Sequence, residues 1–235
     1  MRIDGRRRSE LRPLSFETGV QKHAAGSCIV SAGDTRVLCA VSFEESVPRF
    51  LRGTGSGWVT AEYNMLPAST NTRTNRERAL SSGRTHEIQR LIGRSLRAAL
   101  DLDRLGERTF TVDCDVLQAD GGTRTAAING GWLALRIAMA NVGISEPPMI
   151  GAVAAVSVGV VGGELLVDLC YEEDSAAEVD FNVVALDNGG LIEVQGTAEG
   201  AAFTRDQLDQ MMNAAESALP ELFAAQRRAL ETTQK

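Results

Sequence analysis

The stretch TFTVDCDVLQADGGTRTAAINGGW, residues 109–132, changes its period halfway along. Over Thr109–Leu117 Phe110, Val112, Cys114 and Val116 fall on one side and Thr111, Asp113 and Asp115 on the other, the pattern of a half-buried strand. From Ala126 to Asn141 the spacing becomes helical, with Ile128, Trp132, Leu135 and Met139 on one face. Glycine inside a helix costs about 1 kcal/mol relative to alanine, so Gly130 and Gly131 point to close packing against a neighbour. Between strand and helix, Gly121 and Gly122 leave backbone amides accessible at a helix N-terminus, where the dipole favours negative charge. Thr123 adds a hydroxyl and Arg124 a guanidinium fork. The spacing matches neither G-x-x-x-x-G-K-[ST] nor G-x-G-x-x-G. On these residues alone, an anion site and a plain turn with an exposed arginine both stand.

Outward from this unit the chain reads as hairpins and helices. Ser27–Ser31 and Thr35–Phe43 form one hairpin, and a further strand runs over Gly57–Met65. Residues 67–83, PASTNTRTNRERALSSG, lose apolar character and read as a mobile loop carrying Arg73, Arg76 and Arg78. A helix follows from Thr85, with Thr85 as N-cap and Arg90, Arg94 and Arg97 along its outer face. Ala152–Val160 with Glu164–Cys170, and Val179–Leu186 with Leu191–Gln195, give two more hairpins. Thr204-Arg-Asp-Gln207 is a capping box opening a last helix, with Leu208, Met211, Met212, Ala215 and Leu219 inward and a frayed polar tail after Leu230. The expectation is an α+β fold with three main helices on one unit, residues 1–235.

The composition excludes several classes. With 235 residues and 43% hydrophobic content the chain can bury a full core. Its most apolar run, residues 151–166, contains glycines and a glutamate and is too short for a bilayer span. The basic N-terminus lacks the apolar segment of a secretory signal, so the expected location is the cytoplasm and no membrane partner. Cys28, Cys39, Cys114 and Cys170 form no C-x-x-C pair and read as reduced core thiols. His23 and His86 are the only histidines, which leaves a His-rich metal site without ligands. Residues 1–100 hold 16 Lys+Arg against 9 Asp+Glu, a balance of +7, and residues 101–235 hold 8 against 22, a balance of −14. One half therefore suits a polyanion and the other a cation.

The acidic half concentrates charge in YEEDSAAEVDFN, residues 171–182, with Glu172, Glu173, Asp174, Glu178 and Asp180 between two strands. Carboxylates of this kind suit Mg²⁺ or Mn²⁺ completed by water and phosphate oxygens, and a carboxylic acid can protonate a leaving hydroxyl. The plain alternative is a solvated acidic turn.

Together with GDTRVLC (33–39), VPRFLRG (47–53), GWVTAEYNMLP (57–67), GRTHEIQRLIGR (83–94), DCDVLQADGGTRT (113–125), EDSAAEVD (173–180) and EVQGTAEG (193–200), these segments resemble the bacterial ribonuclease PH family over nearly the whole chain. The resemblance implies a ribonuclease PH-type α+β domain of the ribosomal protein S5 domain 2-like kind, with antiparallel and mixed sheets and packed helices. It implies a phosphate-dependent 3′→5′ exoribonuclease that trims tRNA precursors, releases nucleoside diphosphates, runs in reverse from them, and assembles as a homohexamer, a trimer of dimers. By the same resemblance Arg84, Gly122, Thr123 and Arg124 bind the co-substrate, inorganic phosphate. Asp174 and Asp180 are the acid and the carboxylates for Mg²⁺ or Mn²⁺, and Arg73 and Arg76 hold RNA. The chain departs from the pattern at Ala68, where many relatives carry arginine, and in a shorter loop between Arg76 and Arg84, so its grip on RNA is expected to differ. A non-catalytic RNA-binding ring subunit is the rival reading, disfavoured because Arg84, Thr123, Arg124, Asp174 and Asp180 are all present. A small-molecule phosphotransferase lacks a nucleotide loop.

Overall fold

The computed structural model describes residues 2–76, 82–144 and 146–233. In chain order they form β1 (Leu14–Thr18), β2 (Gly26–Ala32), β3 (Thr35–Glu44), a 3-10 turn (Arg49–Leu51), β4 (Trp58–Met65), α1 (Gly83–Ala98) and α2 (Leu102–Leu105). Then come β5 (Thr109–Gln118), α3 (Thr123–Asn141), β6 (Val153–Val161), β7 (Glu164–Val167), α4 (Tyr171–Ser175), β8 (Val179–Leu186), β9 (Leu191–Ala198) and α5 (Arg205–Thr233).

The alternating strand of the opening stretch, β5, lies inside a five-stranded sheet of order β1-β2-β3-β5-β4. It pairs antiparallel with β3 and parallel with β4, the parallel step bridged by α1 and α2. A second, wholly antiparallel sheet has the order β7-β6-β8-β9. The hairpins expected from the sequence are β2–β3, β6–β7 and β8–β9. The apolar run at 151–166 is largely β6, a central strand buried along most of its length.

Helix α3 packs between the two sheets, against β2, β3 and β5 on one side and β6 on the other. Thr125 to Leu135 are all buried, so the expected single apolar face is replaced by burial all round. A Cβ on Gly130 would meet Val30 Cγ1 at 2.7 Å and Cys39 Sγ at 2.8 Å, which is why glycine stands there despite its helix cost. Toward the second sheet Asn129 exchanges two hydrogen bonds with the backbone of Ala155, donating at 2.9 Å and accepting at 2.8 Å. One continuous apolar core runs through both sheets. Cys28, Cys39 and Cys114 lie in register on β2, β3 and β5 beneath α3, buried and unbridged.

Several boundaries differ from expectation for local reasons. Helix α1 begins two residues earlier than Thr85, because Ser82 is the cap and its Oγ accepts from the Thr85 amide at 3.1 Å. Its arginine stripe is divided: Arg94 pairs with Glu193 of β9 at 2.7 Å, while Arg97 donates to Val59 O at 2.8 Å and lies over the Trp58 ring. The start of the expected mobile loop is pinned, with Ser69 buried and its carbonyl accepting from the Ala119 amide at 2.8 Å. Arg78 lies outside the described residues. The capping box at Thr204 forms, with Thr204 N donating to Gln207 Oε1 at 2.8 Å and Gln207 N to Thr204 Oγ1 at 3.2 Å. The helix it opens continues to Thr233, so the frayed tail expected after Leu230 is helical through that residue. Among the described residues no helix is long and apolar enough to cross a membrane.

Candidate active site

The chain leaves β5 at Gln118 and turns through Gly121 (φ 71°) and Gly122 (φ 62°) into α3. Both glycines are left-handed, and neither has room for a side chain. A Cβ on Gly121 would lie 2.6 Å from Leu169 O and 2.9 Å from Tyr171 N; one on Gly122 would lie 2.8 Å from an Arg12 guanidinium nitrogen. The glycines thus serve close approach of the β7–α4 connection as much as exposure of backbone amides. Gly122 is the N-cap of α3 without a capping side chain, leaving first-turn amides for solvent or an anion. Thr123 is buried, and its hydroxyl shares a 2.8 Å hydrogen bond with Tyr63 Oη. Arg124 donates one N–H to Gln195 Oε1 at 2.9 Å, and Gln195 in turn donates to Glu87 Oε1 at 2.9 Å. That chain aims the guanidinium while most of its five donors remain uncommitted.

This turn forms one wall of a cavity of about 590 Å³ between the ends of the two sheets. Arg84, Gly122, Thr123, Arg124, Asp174 and Asp180 all line it, brought together from α1, α3, α4 and β8. Arg73 and Arg76 do not line it; both are exposed, and Arg73 follows the lining residues Thr70, Asn71 and Thr72. Neither histidine lines it.

The acidic stretch folds into a short helix, α4, rather than a turn, and its carboxylates separate. Glu173 points away from the cavity into a buried bidentate pair with Arg2, at 2.7 and 2.6 Å, and also accepts from the Cys170 amide at 3.1 Å. Glu178 accepts from the Gly163 amide at 3.0 Å. Of the acidic stretch's carboxylates, Asp174 and Asp180 face the cavity, and among the described residues no group of three or more His, Cys, Asp or Glu is arranged around a metal. On β8 the two-residue period puts Asp180 and Asn182 on the same face, with Asn182 Nδ2 donating to Asp180 Oδ1 at 3.0 Å.

Burial holds the Asp174 carboxyl above the ordinary aspartate range, and the neighbouring Asp180 pushes the same way; Arg84, Arg124 and Arg12 oppose them. Burial likewise pushes the Tyr63 hydroxyl up, opposed by its hydrogen bond to Thr123 and by Arg84 and Arg124. A carboxyl inclined to hold its proton thus faces two arginines and a helix N-terminus across one cavity.

The framework behind the cavity was not legible as such. Arg12 is buried, binds Asp168 at 3.1 and 2.8 Å, and donates to the Asp120 carbonyl, which ties the glycine turn to the β7–α4 connection. Asp168 sits at φ 56°, an uncommon conformation for a non-glycine residue, fixed by these bonds. Arg2 also donates to the carbonyls of Val167 at 2.7 Å and Asp168 at 2.9 Å. The N-terminal arginines, which as a sequence look like polyanion ligands, are in good part internal struts; an acidic partner placed more than 150 residues away gives no local signal.

Residues 10–140 match the sequence pattern described as 3′ exoribonuclease family, domain 1, and residues 151–218 match domain 2 of the same family. The chain is 57% identical over 236 residues to a ribonuclease PH of Synechococcus sp. (strain JA-3-3Ab), covering 97% of this chain and 98% of that one. It is also 57% identical over 237 residues to a ribonuclease PH of Mycobacterium avium (strain 104), covering 98% and 92%. Among solved structures, rice (Oryza sativa) Rrp46 superposes with TM-score 0.81 at 21% identity, covering 97% of this chain and 100% of that one. A chain of the Archaeoglobus fulgidus exosome with RNA bound to the active site superposes with TM-score 0.78 at 22% identity, covering 100% and 92%. At such identity the two structures speak to the fold.

Proposed function

The chain belongs to the ribonuclease PH family of 3′ exoribonucleases, and from that premise we propose how its cavity carries out phosphorolysis. The activity is phosphate-dependent removal of nucleotides from RNA 3′ ends, and trimming tRNA is the role of this family. Inorganic phosphate is held by Arg84, the first-turn amides of α3, the Thr123 hydroxyl and the free donors of Arg124. The hydrogen bond shared by the Tyr63 and Thr123 hydroxyls fixes Thr123 Oγ1, and with Tyr63 as donor the Thr123 proton is free for the anion.

A phosphate oxygen attacks the last phosphodiester in line, a new P–O bond forms, and the bond to the neighbouring 3′ oxygen breaks. The fixed cations stabilise charge on the equatorial oxygens. Asp174, whose protonated form burial and the Asp180 charge favour, acts as the acid and gives its proton to the leaving 3′ oxygen. The products are a nucleoside diphosphate and RNA one nucleotide shorter. In reverse, ionised Asp174 takes the proton from the 3′ hydroxyl.

Two of the carboxylates lining the cavity, Asp174 and Asp180, with room for water and phosphate oxygens, fit Mg²⁺ or Mn²⁺, which needs only one or two protein carboxylates. Asp180, and Asp174 in its ionised form, are the residues that would hold it, and when bound it would neutralise phosphate charge. Arg73, which follows the cavity-lining Thr72, and Arg76, both exposed, hold the RNA backbone. We further assign the chain to the cytoplasm, to one folding unit spanning both sheets, and to a homohexameric ring. The exposed apolar side chains Phe50, Ile150, Leu191 and Val194 support subunit contacts, and the continuous core supports one unit.

The observation that carries the mechanism is the convergence in one cavity of Arg84, Arg124 and the α3 N-terminus with Asp174, whose carboxyl burial pushes above the ordinary aspartate range. The test is incubation with 3′-tailed tRNA, Mg²⁺ and phosphate: nucleoside diphosphates should appear in proportion to phosphate. Monophosphate release, or trimming indifferent to phosphate, overturns it.

A further inference from the structure

Tyr171 is the one aromatic residue lining the cavity among the described residues, and it is 53% exposed. Its mount is rigid. The Tyr171 amide donates to Asp120 Oδ1 at 3.1 Å, its backbone packs against Gly121, and two residues on Glu173 is clamped by Arg2. The backbone that carries the ring is therefore anchored, and the ring itself is left uncovered by its surroundings. Tyr171 and Asp174 are three apart on α4, on neighbouring positions of one helical face and about 5 Å apart along the axis. An uncovered aromatic ring on an anchored backbone, beside the group that protonates a ribose 3′ oxygen, is placed to meet the base carried by that ribose.

We propose that the Tyr171 ring stacks on the base of the next-to-last nucleotide, whose 3′ oxygen leaves in phosphorolysis. This rests on the phosphorolytic reading of the cavity. The terminal nucleotide, joined to the phosphorus under attack, lies on the phosphate side, and the next one lies toward the mouth, where the exposed ring stands. A π-face binds every base alike, so such a contact gives grip without sequence readout and suits an enzyme that shortens a varied 3′ end.

The test uses the full chain with a single-stranded RNA, its analogue abasic at the last nucleotide, and its analogue abasic at the next-to-last. Equilibrium binding in phosphate-free buffer and phosphate-driven diphosphate release are measured for wild type, Tyr171→Ala and Tyr171→Phe. Tyr171→Ala should weaken binding and raise the RNA KM about tenfold with kcat little changed, while Tyr171→Phe keeps wild-type values. On RNA abasic at the next-to-last position, wild type should lose the same factor and Tyr171→Ala should add nothing; on RNA abasic at the last position the alanine penalty should remain. An undiminished penalty on the next-to-last abasic RNA, a penalty abolished by the last-position analogue instead, no penalty at all, or equal loss in Tyr171→Phe each overturns the proposal. Failure of the phosphorolytic reading shows separately, as wild-type protein that releases no diphosphate, and the binding series still decides the stacking contact.

Discussion

At Asp174 two effects act against ionisation, burial first and the Asp180 charge second, and the folded chain therefore holds this proton more tightly than the unfolded chain does. The associated stability is fully present below the ordinary aspartate value and is lost as pH rises through the raised one. Asp174→Asn should accordingly melt about 2 °C higher than wild type at neutral pH, a small gain because the site is partly solvated, and equally at about pH 4. Calorimetry at the two pH values checks this. Its phosphorolysis should fall about 10²–10⁴-fold. Across the cavity, Arg124→Ala should lower kcat/KM about 10²–10³-fold with RNA affinity intact, since it removes charge stabilisation at the phosphate; equal loss of RNA binding would count against that role. Arg2→Ala removes the bidentate partner of buried Glu173, leaving it only the looser 3.7 Å contact with Arg6, and should cost about 3 kcal/mol in urea unfolding, more than replacing both partners with apolar residues. The cavity-facing residues Arg84, Thr123, Arg124, Asp174 and Asp180 were legible as types in a pattern. What was not legible is that Glu173, one step of about 100° round the helix from Asp174, turns inward to an arginine.

Among elements, α3 does two separate jobs that mutation can divide. Its N-terminus needs Gly121 to admit the β7–α4 connection, and its middle needs Gly130 to admit Val30 and Cys39. Alanine at either position should destabilise by about 1–3 kcal/mol. Gly121→Ala, which moves the cradle, should also raise the KM for phosphate; Gly130→Ala should leave it unchanged in residual folded enzyme. Steady-state kinetics against phosphate beside denaturant melts separate the two. Period alone revealed β5, whose alternation survives in the fold, and it revealed the existence of α3 but not its surroundings. A helix buried on every side differs from a one-faced helix only in what packs on it, which lies far away in sequence. Strand β1 went unread because five residues of mixed polarity acquire strand character from pairing with β2.

For the whole molecule, the separation of +7 and −14 between the two parts of the chain is in part internal organisation. Arg2, Arg6 and Arg12 meet Asp168 and Glu173 within the fold, so the basic surface left for RNA is narrower than the count implies. Arg73 and Arg76 remain exposed, Arg73 directly after the cavity-lining Thr72. Binding of tRNA should weaken with salt, and Arg73→Ala with Arg76→Ala should reduce the slope of log affinity against log salt by about 1–2 while short substrates are still turned over; filter binding across a salt series reads the slope. By itself the sequence determined the elements, through period and capping, and the chemical types at the site, through motif. Those are local properties, written within a few residues of one another. The tertiary structure alone decided which charges are struts and which are ligands, and that one cavity gathers α1, α3, α4 and β8. Both follow from contacts between residues far apart in the chain, where burial makes a charge choose a partner.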